Sequence, residues 1–349
     1  MVRLEQYPHI VSSSLAQRWI RIGENLGLSE ATLSAYALSL EDYLRFMTSR
    51  RYDILHLTRE AISQYIRDLR ERPRRNSMPY GSAGLSNATI QQRLTVARMF
   101  SDFLIEEGLR QTNPVGRGRY TPGRVERTSQ ERGILPRTPT VPWIPSEHQW
   151  RVMIHAIKMQ SIRTRTMFAL SYECALRREE VCSLRIDDFD PSPKLLRVRA
   201  EVAKNKRERI VPYTSAVSPL LGEYLRIRRK IKSRDPRYLF LSESRRNCGK
   251  PLSIWSWSKT FKSIAESSGF HEFTPHTLRH LRLTDLARAN WDIHKIAVFA
   301  GHRSTSSTMI YIHLSGRDLT EALARGMATI HESRLQLLTG CIAYGRQDA

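Results

Sequence analysis

The sequence predicts a mainly α-helical protein of two domains, with a small antiparallel β-sheet inserted in the second. Three observations lead there. The first 110 residues carry apolar stripes spaced by three and four, the period of helices buried on one side. An Arg-, Gly- and Pro-rich break runs from Asn113 to Pro145. Beyond it, helical patterning is interrupted by short aliphatic runs with the look of strands. At 349 residues the chain also exceeds one ordinary core.

Taken in order, the stripe Leu15, Trp19, Ile22 and Leu26 predicts a first helix. Ser29 caps a second, with Leu33, Tyr36, Leu40, Leu44 and Met47 on its buried side. Thr58 caps a third, carrying Ile62, Tyr65, Ile66 and Leu69. Ser86 starts a fourth, with Ile90, Leu94, Ala97, Phe100 and Leu104 inside and Gly108 just past its end. The loop "RPRRNSMPYGSAG" separates the last two, placing Arg74 and Arg75 toward water or phosphate. The break from Asn113 holds six arginines, Arg117, Arg119 and Arg124 among them, against two glutamates. It reads as a linker, residues 113–145, after a helical domain of residues 1–112.

From the N-cap Ser146 helical patterning runs through "WRVMIHAIKM" and "RTMFALSYECALRREEVCSL". "KLLRVRA" and "RIVPYT" then read as a hairpin or two neighbouring strands, and "YLFLS" as a further strand. Helices return in "SIWSWSKTFKSIAESSG", "TLRHLRLTDLARAN" and "IHKIAVFAG". The second domain spans residues 146–332, followed by a tail, 333–349.

The formal charge of +22 calls for a polyanion as partner. The arginines do not form one amphipathic helix with an aromatic face, which argues against a membrane surface. No run of eighteen apolar residues and no secretory leader is found, so a cytoplasmic protein is expected. Cys174, Cys182, Cys248 and Cys341 are scattered without a C-x-x-C, so neither a disulfide framework nor a zinc site is expected.

Four stretches of the second domain hold candidate chemistry, and each is ordinary when taken singly. Arg177 in "CALRREEVCSLRIDDFD" is at a helix end, where arginines commonly face solvent. Lys204 in "AEVAKNKRERIVP" is at a basic turn between two strands. In "TPHTLRH", His276 and Arg279 share one face of a helix start, where they can address an anion. In "AGHRSTSSTMIYIHL", Tyr311 has the look of a core aromatic, with His302 upstream.

Together they form the set that phosphoryl transfer without a metal requires. Attack on a phosphodiester spreads charge over two non-bridging oxygens and the leaving oxygen. Guanidinium, planar and always charged, matches paired oxygens. A tyrosine can hold the phosphoryl group covalently, and a lysine or histidine can protonate the leaving oxygen. Neither cofactor nor metal is called for.

With these motifs the chain resembles the tyrosine recombinase (phage integrase) family. "ALRREEVCSLRIDDFD" is similar to the family's first arginine box, "KNKRERIVP" to the strand pair around its lysine, "HTLRH" to its H-x-x-R box, and "GHRSTSSTMIYIH" to the segment ending in the nucleophile. The N-terminal part is similar to the family's core-binding helical domain, which clamps duplex DNA against the catalytic domain.

The resemblance implies that Arg177 and Arg279 hold the scissile phosphate and that Lys204, aligned through "RIVP", protonates the 5′ oxygen. It implies hydrogen bonding and proton transfer by His276 and His302, support of Arg177 by Glu180, and a 3′-phosphotyrosine on Tyr311. Arg74, Arg75, Arg117, Arg119, Arg124, Lys206 and Arg207 are expected to contact DNA. Strand exchange in a synaptic tetramer through a Holliday junction also follows, with accessory DNA-bending proteins as candidate partners; the tail has two readings, packing on its own domain or docking on a neighbouring subunit. Ala175 replaces a common family glycine, a change that a helix accommodates. The Asn205–Lys206 pair replaces a Gly-rich turn. A type IB topoisomerase, or a DNA-binding regulator with the same fold and no catalysis, are the alternative readings.

Overall fold

A computed structural model describes residues 2–72, 84–115 and 141–316, and the chain divides into two compact units, Met1–Thr140 and Val141–Ala349. The first unit is helical: α1 (Pro8–Val11), α2 (Ser14–Asn25), α3 (Glu30–Ser49), α4 (Arg59–Glu71) and α5 (Asn87–Glu106). Side-chain oxygens start the helices where expected. Ser29 accepts from the Thr32 amide at 3.2 Å, Thr58 from Ala61 at 3.4 Å and Ser86 from Thr89 at 3.3 Å, each relieving an amide that the helix leaves unpaired.

Leu40, Tyr43, Met47, Tyr65 and Phe100 are among the side chains that close the core. Asp42 is buried in it and is reached by Arg45, Arg72 and Arg93 and by the Tyr65 hydroxyl. The first stripe is only partly as expected. Ala16, Ile20 and Gly23 are the buried positions of α2, flanked by Leu15, Trp19 and Ile22. Leu26 is 77% exposed, because the helix ends at Asn25 and its period no longer directs the next side chain.

The second unit begins with α6 (Glu147–Lys158), closed by a reciprocal capping box between Ser146 and Gln149. It continues through α7 (Ile162–Glu173), α8 (Arg178–Cys182), the strands β1 (Phe189–Asp190), β2 (Leu195–Val198) and β3 (Arg209–Pro212), then α9 (Ser218–Arg228), α10 (Ile254–Ser268), α11 (Pro275–Arg288), α12 (Ile293–Ala300) and α13 (Ser306–Ser315). Phe168, Trp257, Phe261 and Phe273 pack together at its centre. The sheet is antiparallel in the order β1-β2-β3, with Leu196 opposite Val211 and Val198 opposite Arg209. Alternation sends Leu196, Val198, Arg209 and Val211 inward.

Two expectations fail here. "YLFLS" makes only isolated bridges, Arg185 to Tyr238 and Leu241 to Pro251, because its backbone partners are irregular loops; the third strand is Phe189–Asp190 instead. The helical patterning through "YECALRREE" is broken between Glu173 and Arg178. Ala175 takes φ 47°, a left-handed conformation that favours glycine, so it is a bend and not a helical position. Arg74, Arg75, Arg117, Arg119 and Arg124, and the tail, lie outside the described residues.

Candidate active site

Four local structures deliver the expected side chains to one end of the second unit. The bend at Ala175 releases Arg177 as the residue that precedes α8, and Glu180, one turn on, accepts from the Arg177 amide at 2.8 Å and from its Nη1 at 3.0 Å. Inward alternation on β3 brings Arg209 to the same carboxylate. Its Nη1 and Nη2 donate to the two Glu180 oxygens at 2.9 and 2.7 Å, and its Nε to the Phe299 carbonyl at 3.1 Å.

The Glu180 side chain is fully covered. Burial pushes its carboxyl pKa up, but the bonds and charge of Arg209, aided by Arg177, overcome this and hold it at about 2.

Pro275 at the first position of α11 sets the helix start and places Arg279 one turn in. Arg279 is 3% exposed. Its Nη1 donates to the Ala175 carbonyl and its Nη2 to the Ala300 carbonyl, both at 2.5 Å. Burial, then the charge of Arg177, lowers its pKa to about 9, which leaves it cationic at neutral pH.

Gly301 ends α12 with φ 63°, and a Cβ there would stand 3.0 Å from the Arg209 side chain. This tight turn presents His302. Arg279 Nη2 donates to His302 Nε2 at 3.1 Å, so the ring proton is on Nδ1, which faces Thr308 Oγ1 at 2.8 Å. Burial, then Arg279, Arg177 and Arg209, lowers the His302 pKa to about 4, so the ring is neutral at physiological pH.

Tyr311 is on α13, 3% exposed, with its ring stacked on His302 at 6.1 Å between centroids. Burial raises its phenol pKa, and Arg279 and Arg177 partly offset the rise. His276 lies at the rim, its ring 6.4 Å from that of His280. Desolvation of the ring lowers its pKa; Glu179 opposes this, and Arg279, Arg178 and Arg177 add to it.

The fold thus brings Arg177, Glu180, His276, Arg279, His302 and Tyr311 together. Lys204 is not among them. It is exposed on the β2–β3 connection, and among the described residues it makes no hydrogen bond or ion pair. That connection is nevertheless tied to the site, since Asn205 Nδ2 donates to the Gly301 carbonyl at 2.7 Å. Lys206 and Arg207 are exposed on it, and Lys206 adopts φ 52°. Arg207 lines a recess of about 140 Å³ with Arg177, Asn205, Arg209, His302 and Arg303.

Three contributors were not singled out from the sequence. Arg209 was legible as an arginine at an inward strand position. His280 was legible as the residue four after His276 on the same helix face, and its Nδ1 is 3.0 Å from the Tyr311 hydroxyl. Thr308 had no sequence signal, since its value comes only from facing His302.

Three guanidiniums against one carboxylate leave two net positive charges beside a phenol. Among the described residues no cluster of His, Cys, Asp and Glu is arranged to hold a metal. No helix of the described chain is long and apolar enough to cross a membrane.

Comparison with known proteins shows the family to which these two units belong. Residues 146–317 match the phage integrase family, and residues 18–108 match the phage integrase N-terminal SAM-like domain. Tyrosine recombinase XerD of Corynebacterium glutamicum is 28% identical over 323 residues, covering 88% of this chain and 95% of that protein. Transposase A from transposon Tn554 of Staphylococcus aureus is 26% identical, covering 86% and 88%.

Among solved structures, the XerH recombinase bound to its palindromic difH substrate in a post-cleavage complex superposes with a TM-score of 0.64 at 19% identity, over 92% of this chain and 85% of that one. A lambda integrase dimer bound to a COC′ core site gives 0.63 at 17%, over 85% and 94%. With both of its units matched by models of the same family, and relatives aligned along most of its length, the chain belongs to the phage integrase family of tyrosine recombinases.

Proposed function

We propose that the protein is a site-specific DNA recombinase that cuts and rejoins duplex DNA through a 3′-phosphotyrosine on Tyr311. The observation that carries this reading is the convergence of Arg177, Arg279, His302 and Tyr311 in one cationic pocket.

In this reaction the Tyr311 oxygen attacks the scissile phosphorus and the bond to the 5′ oxygen breaks. The doubly negative transition state meets the two net positive charges of the pocket, fixed in place before substrate arrives. Glu180 holds Arg177 and Arg209 in position, and His302, oriented by Thr308, presents Nε2 beside Arg279. Lys204, carried on the connection that Asn205 ties to Gly301, protonates the leaving 5′ oxygen once DNA draws its flexible stem inward. The covalent link keeps the energy of the broken bond, so rejoining needs no nucleotide cofactor.

Exchange of both strand pairs proceeds in a synaptic tetramer on DNA through a Holliday junction, in the cytoplasm, with DNA-bending proteins as accessories. The match to the SAM-like domain at residues 18–108 favours recombination over topoisomerase-type relaxation.

The test uses a duplex that the protein selects from a randomised pool, nicked a few nucleotides 3′ of the cleavage point so that cleavage is trapped. Wild-type protein is expected to give a denaturation-resistant adduct and Tyr311→Phe none. An adduct that survives the substitution removes Tyr311 as the nucleophile.

A further inference from the structure

The rings of His280 and His302 lie against the candidate nucleophile and that of His276 lies beside His280, and their bonding separates the three. His302 has both ring nitrogens engaged, Nε2 by Arg279 and Nδ1 with Thr308. His276 stands at the exposed rim, one helical turn before His280. His280 alone among them is hydrogen-bonded to the phenol, Nδ1 to hydroxyl, at 3.0 Å. The two rings are 5.8 Å apart between centroids.

We propose that His280 is a catalytic residue of the Tyr311 reaction, its Nδ1 taking the phenolic proton as the tyrosine oxygen attacks phosphorus. The inference rests on Tyr311 being the nucleophile. In the step the O–H bond of Tyr311 breaks and its proton passes to His280. An O–P bond forms, the bond from phosphorus to the 5′ oxygen breaks, and that oxygen takes a proton from Lys204. Rejoining runs the same transfers in reverse, with His280 returning its proton to the phenol.

The surroundings suit the task. Burial, then the neighbouring charges of His276 and Arg279, lowers the His280 pKa to about 4, so the free protein holds the ring in its neutral, accepting form. A phosphodiester arriving beside Arg279 cancels part of the charge that disfavours protonation, which strengthens the base when it is needed. The charged and titratable groups around His280 are His276 and Arg279 on its own helix, Tyr311 on α13, and His302 before α13. From α7, Glu173 and Tyr172 meet the same helix further along, at Arg282 and Asp285.

The experiment measures single-turnover cleavage of the nicked duplex by wild type, His280→Ala and His280→Asn. Asparagine offers an oxygen near the Nδ1 position but cannot accept the proton. DNA affinity and thermal melting are followed in parallel, and whichever variant retains both serves the comparison.

Both variants are expected to cleave about 100-fold more slowly near neutral pH, the usual scale for loss of a general base. The deficit is expected to narrow as pH rises toward 9, because the fraction of phenolate formed without a base grows with pH. It is expected to persist on a substrate with sulfur in place of the 5′ bridging oxygen, whose leaving group needs no acid. A wild-type rate in His280→Asn, a deficit that ignores pH, or its disappearance on the sulfur substrate would each overturn the assignment. Tyr311→Phe, run alongside, reports separately on the nucleophile.

Discussion

Replacing Glu180 by glutamine keeps its shape and removes the charge that Arg209 and Arg177 share in a fully covered position. Two guanidiniums would then face each other with no counter-ion. We expect Glu180→Gln to cost about 3 kcal/mol in urea unfolding, the scale for breaking a buried ion pair. An unchanged denaturation midpoint would mean that water already compensates the charges.

Acid acts first through the histidines. His280 and His302 have folded pKa values of about 4, below the ordinary 6.5. A depressed value means that the folded state binds protons later than the unfolded chain. Their contribution is therefore full above pH 6.5 and is lost as pH falls toward 4. Glu180, held at about 2 against an ordinary 4.5, gives way only at lower pH. Unfolding free energies measured at pH 7, 5.5 and 4.5 should fall in that order, and His280→Asn should flatten the decline. A flat wild-type profile would contradict the two lowered pKa values.

At the level of elements, the site depends on two connections that join distant pieces of chain. The bend at Ala175 turns a carbonyl toward Arg279, which α11 supplies from 104 positions further on. The β2–β3 connection is fastened by Asn205 to Gly301, the residue that turns the chain toward His302. Asn205→Ala should free this connection at a cost of about 1 kcal/mol, one hydrogen bond. It should also slow cleavage more than it weakens DNA binding, because Lys204 would lose its placement. Equal losses in cleavage and affinity would make Asn205 a binding residue instead.

Helix starts at Ser29, Thr58, Ser86 and Ser146 were legible because a cap is a contact between residues three apart. The strand expected at "YLFLS" was not. Its aliphatic run satisfies a buried loop as well as it would a sheet, and pattern alone does not say whether a partner strand is present.

For the whole molecule, charge decides the partner. An excess of 22 positive charges exceeds what the pocket uses, and the arginines at 74, 75, 117, 119 and 124 stand in basic, Gly- and Pro-rich stretches of the sequence. Neutralising Arg117, Arg119 and Arg124 together should weaken binding to every duplex alike. It should reduce the slope of log affinity against log salt by about 0.9 per lost phosphate contact. An unchanged slope would place these arginines away from the DNA backbone.

The sequence by itself determined the helical periods, the caps, the two strands of "KLLRVRA" and "RIVPYT", and the order of Arg, Glu, Lys, His, Arg, His and Tyr along the chain. All of these follow from neighbours within a few residues or from chemical type. Tertiary structure alone decided that Arg209 clasps Glu180, that Ala175 bends instead of continuing a helix, that Arg279 fixes the proton on His302, and that His280 is the histidine that meets the phenol. The physical reason is that these contacts join residues brought together by helix packing, and a local period fixes which way a side chain points without fixing what it meets.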